Sequence, residues 1–84
     1  MPTISIFYGI AITMRQREKE HNPPHIHARY GEFQASFYIS NGEIMNGAFP
    51  ARACDMVKEF ILQHQNELMA MWNGAPFQKL QGLD

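Results

Sequence analysis

The sequence predicts an α+β domain, with a mostly antiparallel sheet of about four to five strands and one long helix packed on one face. Three observations carry that expectation. Across residues 33–40, Phe33, Ala35, Phe37 and Ile39 alternate with Gln34, Ser36 and Tyr38, the period of a strand with one buried face. An Asn41-Gly42 pair then separates this run from another strand-like run, a strong short-range hairpin signal. From residue 51 to about residue 72, Ala53, Val57, Phe60, Ile61, His64, Leu68 and Met71 recur at steps of three and four, the spacing of one amphipathic helix.

The elements follow in order. Ile4, Ile6, Ile10, Ile12 and Met14 predict one strand, or two, with a kink at Tyr8-Gly9. Residues 15–22 hold several charges and no apolar residue, as expected of a solvated loop or strand tip. Residues 25–30 form the next strand, entered through Pro23-Pro24 and left through a Gly31-Glu32 turn. Asn41-Gly42 predicts a type I′ turn, which needs positive φ at both central positions. The return strand covers residues 43–48, interrupted by Gly47. Pro50 suits the first helical position, where its missing N–H costs nothing. Asn73-Gly74-Ala75-Pro76 supplies the helix stop, and Phe77 and Leu80 can fold the tail back. The chain thus reads as a single domain over residues 1–84, with a sheet part (1–49), a helix (50–73) and a tail (74–84).

Composition narrows the function classes. With 84 residues, 45% of them hydrophobic and 18% charged, the chain can sustain one small core and has no signature of disorder. A formal net charge of -1 excludes a broad electrostatic footprint for nucleic acid, so any RNA contact rests on a local patch. The single cysteine, Cys54, excludes an internal disulfide framework, and without a CxxC there is no zinc ribbon. No apolar run approaches the roughly 20 residues of a membrane span, and no secretory leader is visible. The expectation is a cytoplasmic protein without a membrane partner. One helix covers one sheet face, so the other must be polar, covered by the tail, or used for association, including homodimerisation.

The chemistry concentrates in His21-Asn22-Pro23-Pro24-His25-Ile26-His27-Ala28-Arg29-Tyr30. On a strand His25, His27 and Arg29 share one face, and Ile26, Ala28 and Tyr30 the other. Imidazoles two residues apart start roughly 6 to 7 Å from one another. They could share a metal, with His21, Glu32 or a loop carboxylate completing the set, or they could be ordinary surface histidines. The metal question stays open and no cofactor is expected. For phosphodiester chemistry His25 and His27 suit acid and base roles, and Arg29 suits a phosphate. Arg15 and Arg17 would add positive charge, and Tyr8, Tyr30 and Tyr38 stacking surfaces. The plain alternative is a solvated rim with tyrosines in the sheet. Cys54 receives no catalytic role, His64 reads as a half-buried packing residue, and Trp72 as a core cap rather than an interface anchor. Gly-rich phosphate loops, HExxH and GxSxG are absent.

The blocks Met1-Pro2-Thr3-Ile4-Ser5, Phe7-Tyr8-Gly9-Ile10, Pro23-Pro24-His25-Ile26-His27, Tyr30-Gly31-Glu32 and Gly47-Ala48-Phe49-Pro50 resemble a family of small bacterial proteins, the domain of unknown function numbered 4160. The resemblance implies a compact bacterial α+β domain in a cytoplasmic setting, with Pro24, His25, His27, Tyr30 and Gly31 as its recognisable centre. It implies no established reaction. Genes of this family often neighbour one for another small protein, which implies a toxin–antitoxin-like or regulatory pair. Phe49 departs from the leucine expected before Pro50, a matter of packing. Two hypotheses result. One is a binding component acting through the His25/His27 face on a small partner protein or on nucleic acid, with Tyr8, Pro24, Tyr30, Arg15 and Arg17 as contact residues. The other is a small RNA-cleaving enzyme using His25, His27 and Arg29. If the first strands pair with the strand after Pro24, Tyr8 and the histidines would border one shallow groove.

Overall fold

The computed structural model describes residues 2–16 and 23–84; Arg17 and His21 lie outside the described residues. Five strands, β1 (Thr3–Phe7), β2 (Ile10–Thr13), β3 (His25–Tyr30), β4 (Phe33–Tyr38) and β5 (Ile44–Ala48), precede two helices, α1 (Ala51–Gln63) and α2 (Gln65–Trp72). The strands form one antiparallel sheet in sequence order. The α+β class and five-stranded sheet follow the sequence reading, with two corrections to the turns and one to the helix.

The Tyr8-Gly9 step is a hairpin turn rather than a kink. Phe7 pairs with Ile10, and both Tyr8 (φ 49°) and Gly9 (φ 80°) lie in the left-handed region. This is the signature of type I′. At Asn41-Gly42 only Gly42 has positive φ. There the Gly42 N–H donates to the Tyr38 carbonyl (2.9 Å) and the Tyr38 N–H to the Glu43 carbonyl (2.9 Å), which makes a wider loop. The loop lets Ile39 reach the core, its N–H donating to the Pro24 carbonyl at 3.1 Å.

The core lies between the helices and one sheet face. Ile10, Ile12, Ile26, Ala28, Ala35 and Phe37 meet Ala53, Val57, Phe60, Ile61, Leu68, Met71 and Trp72, all buried. Each fully buried large side chain contributes about 1.5–3 kcal/mol against conformational entropy. A register shift between Thr3 and Ser5 turns Ile4 and Phe7 inward and leaves Ile6 65% exposed, so simple alternation fails in β1. Phe7 stacks on Phe60 with ring centroids 5.0 Å apart.

The single long helix of the sequence reading is broken at His64 (φ -118°, ψ 25°). Apolar spacing runs through the break because the His64 carbonyl still accepts from the Leu68 N–H at 2.9 Å. Unbroken, a helix of roughly 22 residues would be about 33 Å long, longer than the molecule's largest extent of 30 Å. The break returns Leu68, Met71 and Trp72 to the core. It is held from two sides: Gln65 Nε2 donates to the Ile39 and Ser40 carbonyls (2.8 and 2.7 Å), and His64 Nε2 to the Gln81 carbonyl (2.8 Å). Pro50 sits one position before α1, as its N-cap. The tail folds back on the edge strand, where the Leu80 N–H donates to the Ile4 carbonyl at 2.8 Å and Asp84 caps the Tyr8 N–H at 3.1 Å.

Candidate functional site

Register and pleat decide what the second sheet face presents. Thr3 pairs with Thr13, Thr13 with His27, His27 with Ser36, and Ser36 with Asn46, one polar row across all five strands. The neighbouring row runs Ile6, Ala11, Arg29, Gln34, Ala48. Four spacings of about 4.8 Å make each row roughly 19 Å wide. Between them lies an open groove of ≈ 390 Å³, lined, among the described residues, by the five strands.

His27 sits half-buried at the groove's centre, with Nδ1 3.2 Å from Ser36 Oγ. Ser36 is 6% exposed, so its hydroxyl is committed to this pair rather than to bulk water. Arg29 follows two residues on, exposed and directly opposite Gln34. Among the described residues no carboxylate pairs with Arg29 or lines the groove.

His25 has a different environment from His27. It is 5% exposed, its Nδ1–H donates to the Pro23 carbonyl at 2.8 Å, and its ring lies 5.1 Å from those of both Trp72 and His27. His25 therefore adjoins His27 without lining the groove. Pro24 is half-buried and its carbonyl holds Ile39. Trp72 is 1% exposed, in the core role read from the sequence.

The remaining candidates are dispersed. Tyr8 is 57% exposed at the tip of the first hairpin, and Ile10 pairs with Tyr30, so Tyr8 lies at the opposite end of β3 from His25. This corrects the expectation that Tyr8 and the histidines border one groove. Tyr30 faces the core side and packs against Phe49, with ring centroids 6.3 Å apart. None of Tyr8, Tyr30 and Tyr38 lines the groove, and Arg15, exposed beyond β2, does not either. Among the described residues no group of three metal-ligating side chains converges.

Thr13, Gln34, Ser36 and Asn46 line the groove although the sequence reading does not single them out. Their signal is the alternation of β4, which places Gln34 and Ser36 opposite the core. Neutral polar residues do not declare a site until register aligns them with His27 and Arg29.

Cys54 shows the opposite of activation. Burial and then the Asp55 charge raise its thiol pKa above the usual range, and Sγ lies 3.7 Å from the Phe49 carbonyl. His64 is half-buried against Phe60, with ring centroids 4.8 Å apart, and serves the tail.

The fold and groove define a small α+β domain with one sheet face packed on helices and the other presenting a polar groove. The chain belongs to the family described as a domain of unknown function (DUF4160), whose model matches residues 9–73. No curated protein and no solved structure matches the chain. No described helix is long and apolar enough to cross a membrane.

Proposed function

We propose that this chain is a protein-binding module, the binding component of a toxin–antitoxin-like or regulatory pair, which engages a small partner protein through the sheet face carrying His27. The observation that carries this reading is the groove itself, a polar surface to which all five strands contribute and which no described helix lines. An aligned polar row on a rigid sheet suits recognition of a complementary surface. Among the described residues the groove lining holds no Phe, Tyr or Trp, so a nucleic-acid base would find only His27 and Arg29 to stack on, which favours protein over RNA.

A second reading, a small RNA-cleaving enzyme, draws on His27 and Arg29 sharing one face, a base beside an anion holder. His25 supports it poorly. A group 5% exposed, bonded to a carbonyl and packed on Trp72 is badly placed to exchange protons with a substrate in the groove.

The test is expression of the tagged chain in a bacterial host, with affinity capture, growth and total RNA read together for wild type and His27→Ala. The binding reading expects one protein recovered in stoichiometric amount, much reduced by the substitution, with RNA intact. RNA cleavage by the purified wild-type chain, lost in His27→Ala, would overturn it in favour of the enzyme.

A further inference from the structure

The groove has a charge character that differs from that of the whole chain. Acidic residues outnumber lysine and arginine by 8 to 7 over the sequence, yet among the described residues the groove lining contains Arg29, His27 and hydrogen-bonding neutral groups and no carboxylate. An arginine on a sheet surface is stabilised by an acidic residue directly across the strand pair. Here its partners are Ala11 on one side and Gln34 on the other, and neither neutralises it. Arg29 thus offers a planar fork of donors beside Gln34, in a pocket of a size that small groups enter.

We infer that the groove receives the carboxylate of an acidic segment of a protein partner, clamped by the Arg29 guanidinium and flanked by the His27–Ser36 pair. The inference rests on the protein-binding reading and adds to it the chemistry of the partner. Arg29 and His27 start about 7 Å apart on one strand face, so a carboxylate held by Arg29 lies beside the His27–Ser36 pair. The Ser36 contact at 3.2 Å fixes the imidazole ring about the atom that it holds. A phosphate would satisfy the same arginine, but a nucleotide would also bring a base, for which the described lining offers no Phe, Tyr or Trp and only the two side chains already engaged by the anion. An acidic peptide needs only the carboxylate clamp and the hydrogen-bonding walls. Thr13 and Asn46 supply those on either side of the His27–Ser36 pair.

The experiment is a chemical-shift titration of the isotope-labelled full chain with the capped peptide Gly-Glu-Leu-Glu-Gly, its glutamine counterpart Gly-Gln-Leu-Gln-Gly, and a short oligouridylate. The expected result is saturable shifts at His27, Arg29, Gln34 and Ser36 with the glutamate peptide, and at least about tenfold weaker binding of the glutamine peptide. Arg29→Gln removes the clamp. Gln34→Glu places a carboxylate directly opposite Arg29 and occupies it from within. Both positions are exposed, so both variants keep the fold, and each should weaken the glutamate peptide by about tenfold or more. Shifts that are equal for both peptides, that fall outside the groove, or that arise only with the oligouridylate would overturn the inference. So would a captured partner protein indifferent to Arg29→Gln and Gln34→Glu, an outcome that leaves the protein-binding reading intact. Groove-specific peptide binding with no partner protein recovered from cells would support the inference while removing support from that reading.

Discussion

Replacing Gly47 by alanine tests whether sterics pin the wall of the groove that β5 provides. Gly47 has φ 95°, and a Cβ there would meet the Gln34 carbonyl oxygen at 2.5 Å and Ala35 Cα at 2.7 Å. Both are backbone atoms of β4, which β3 holds from its other side, so β5 must give way. Gly31 is the control, with φ 59° and nothing within 4 Å of the place a methyl group would take. Left-handed backbone costs a residue with a Cβ about 1–2 kcal/mol, and the entropy lost from the unfolded chain returns about 0.4–1 kcal/mol. Gly31→Ala should therefore cost about 1 kcal/mol. Gly47→Ala carries the same cost plus about two weakened ladder hydrogen bonds at roughly 1 kcal/mol each, or about 3 kcal/mol in total. A domain of this size is stable by about 4–13 kcal/mol, so both variants remain measurable. In urea, with a slope near 1–1.5 kcal/mol/M, the midpoint should fall by roughly 2–3 M for Gly47→Ala and by about 1 M or less for Gly31→Ala. Equal midpoints would refute the reasoning. They would mean that β5 shifts freely and that Asn46 is not a fixed wall.

Tyr8→Asn should stabilise the chain by about 1 kcal/mol, because asparagine tolerates the left-handed first position of a type I′ turn; a lower melting temperature would contradict that account. Alkylation of Cys54 at pH 8 should be slower in the folded chain than in urea, as followed by mass spectrometry, since burial and Asp55 raise its pKa. The sign carries over to stability. A thiol whose folded pKa lies above its unfolded one contributes below the unfolded value and loses that contribution as pH rises through the folded one. Wild type should therefore lose more stability than Cys54→Ala at strongly alkaline pH. Trp72→Ala should cost about 3–5 kcal/mol by emptying a site that is 1% exposed, and should move the ring resonances of His25; unchanged His25 signals would argue against the tilted ring contact between the two.

The sequence carries the sheet more legibly than it carries the site. Alternation from Phe33 onward and the diproline before His25 mark β3 and β4, because one buried face imposes a period of two. The Asn41-Gly42 signal locates a real hairpin but not its turn type, since Ile39 is pulled into the core and widens the loop. The break at His64 leaves no trace in the pattern, because Phe60, Ile61, Leu68 and Met71 keep helical spacing through it. The difference between His25 and His27 is tertiary. Two residues apart on one strand, they part company because Trp72, from a helix distant in sequence, packs on the first and Ser36 bonds the second.

The span of the family match bears on how the groove is built. Residues 9–73 hold β2 to β5 and both helices, and with them His27, Arg29, Gln34, Ser36 and Asn46. The segments outside that span pair with each other: β1 contributes Thr3 to the groove, and the tail covers the outer edge of β1 through Leu80 and the core through Leu80 and Leu83. An uncovered edge strand invites pairing with other chains, so the tail leaves β5 as the free edge of the sheet. That edge lies beside Asn46 and contains no charged residue from Ile44 to Ala48. On the protein-binding reading proposed above, a partner at the groove would meet Arg29 and an open, uncharged strand edge two strands away, while the opposite flank is already occupied by the chain's own tail.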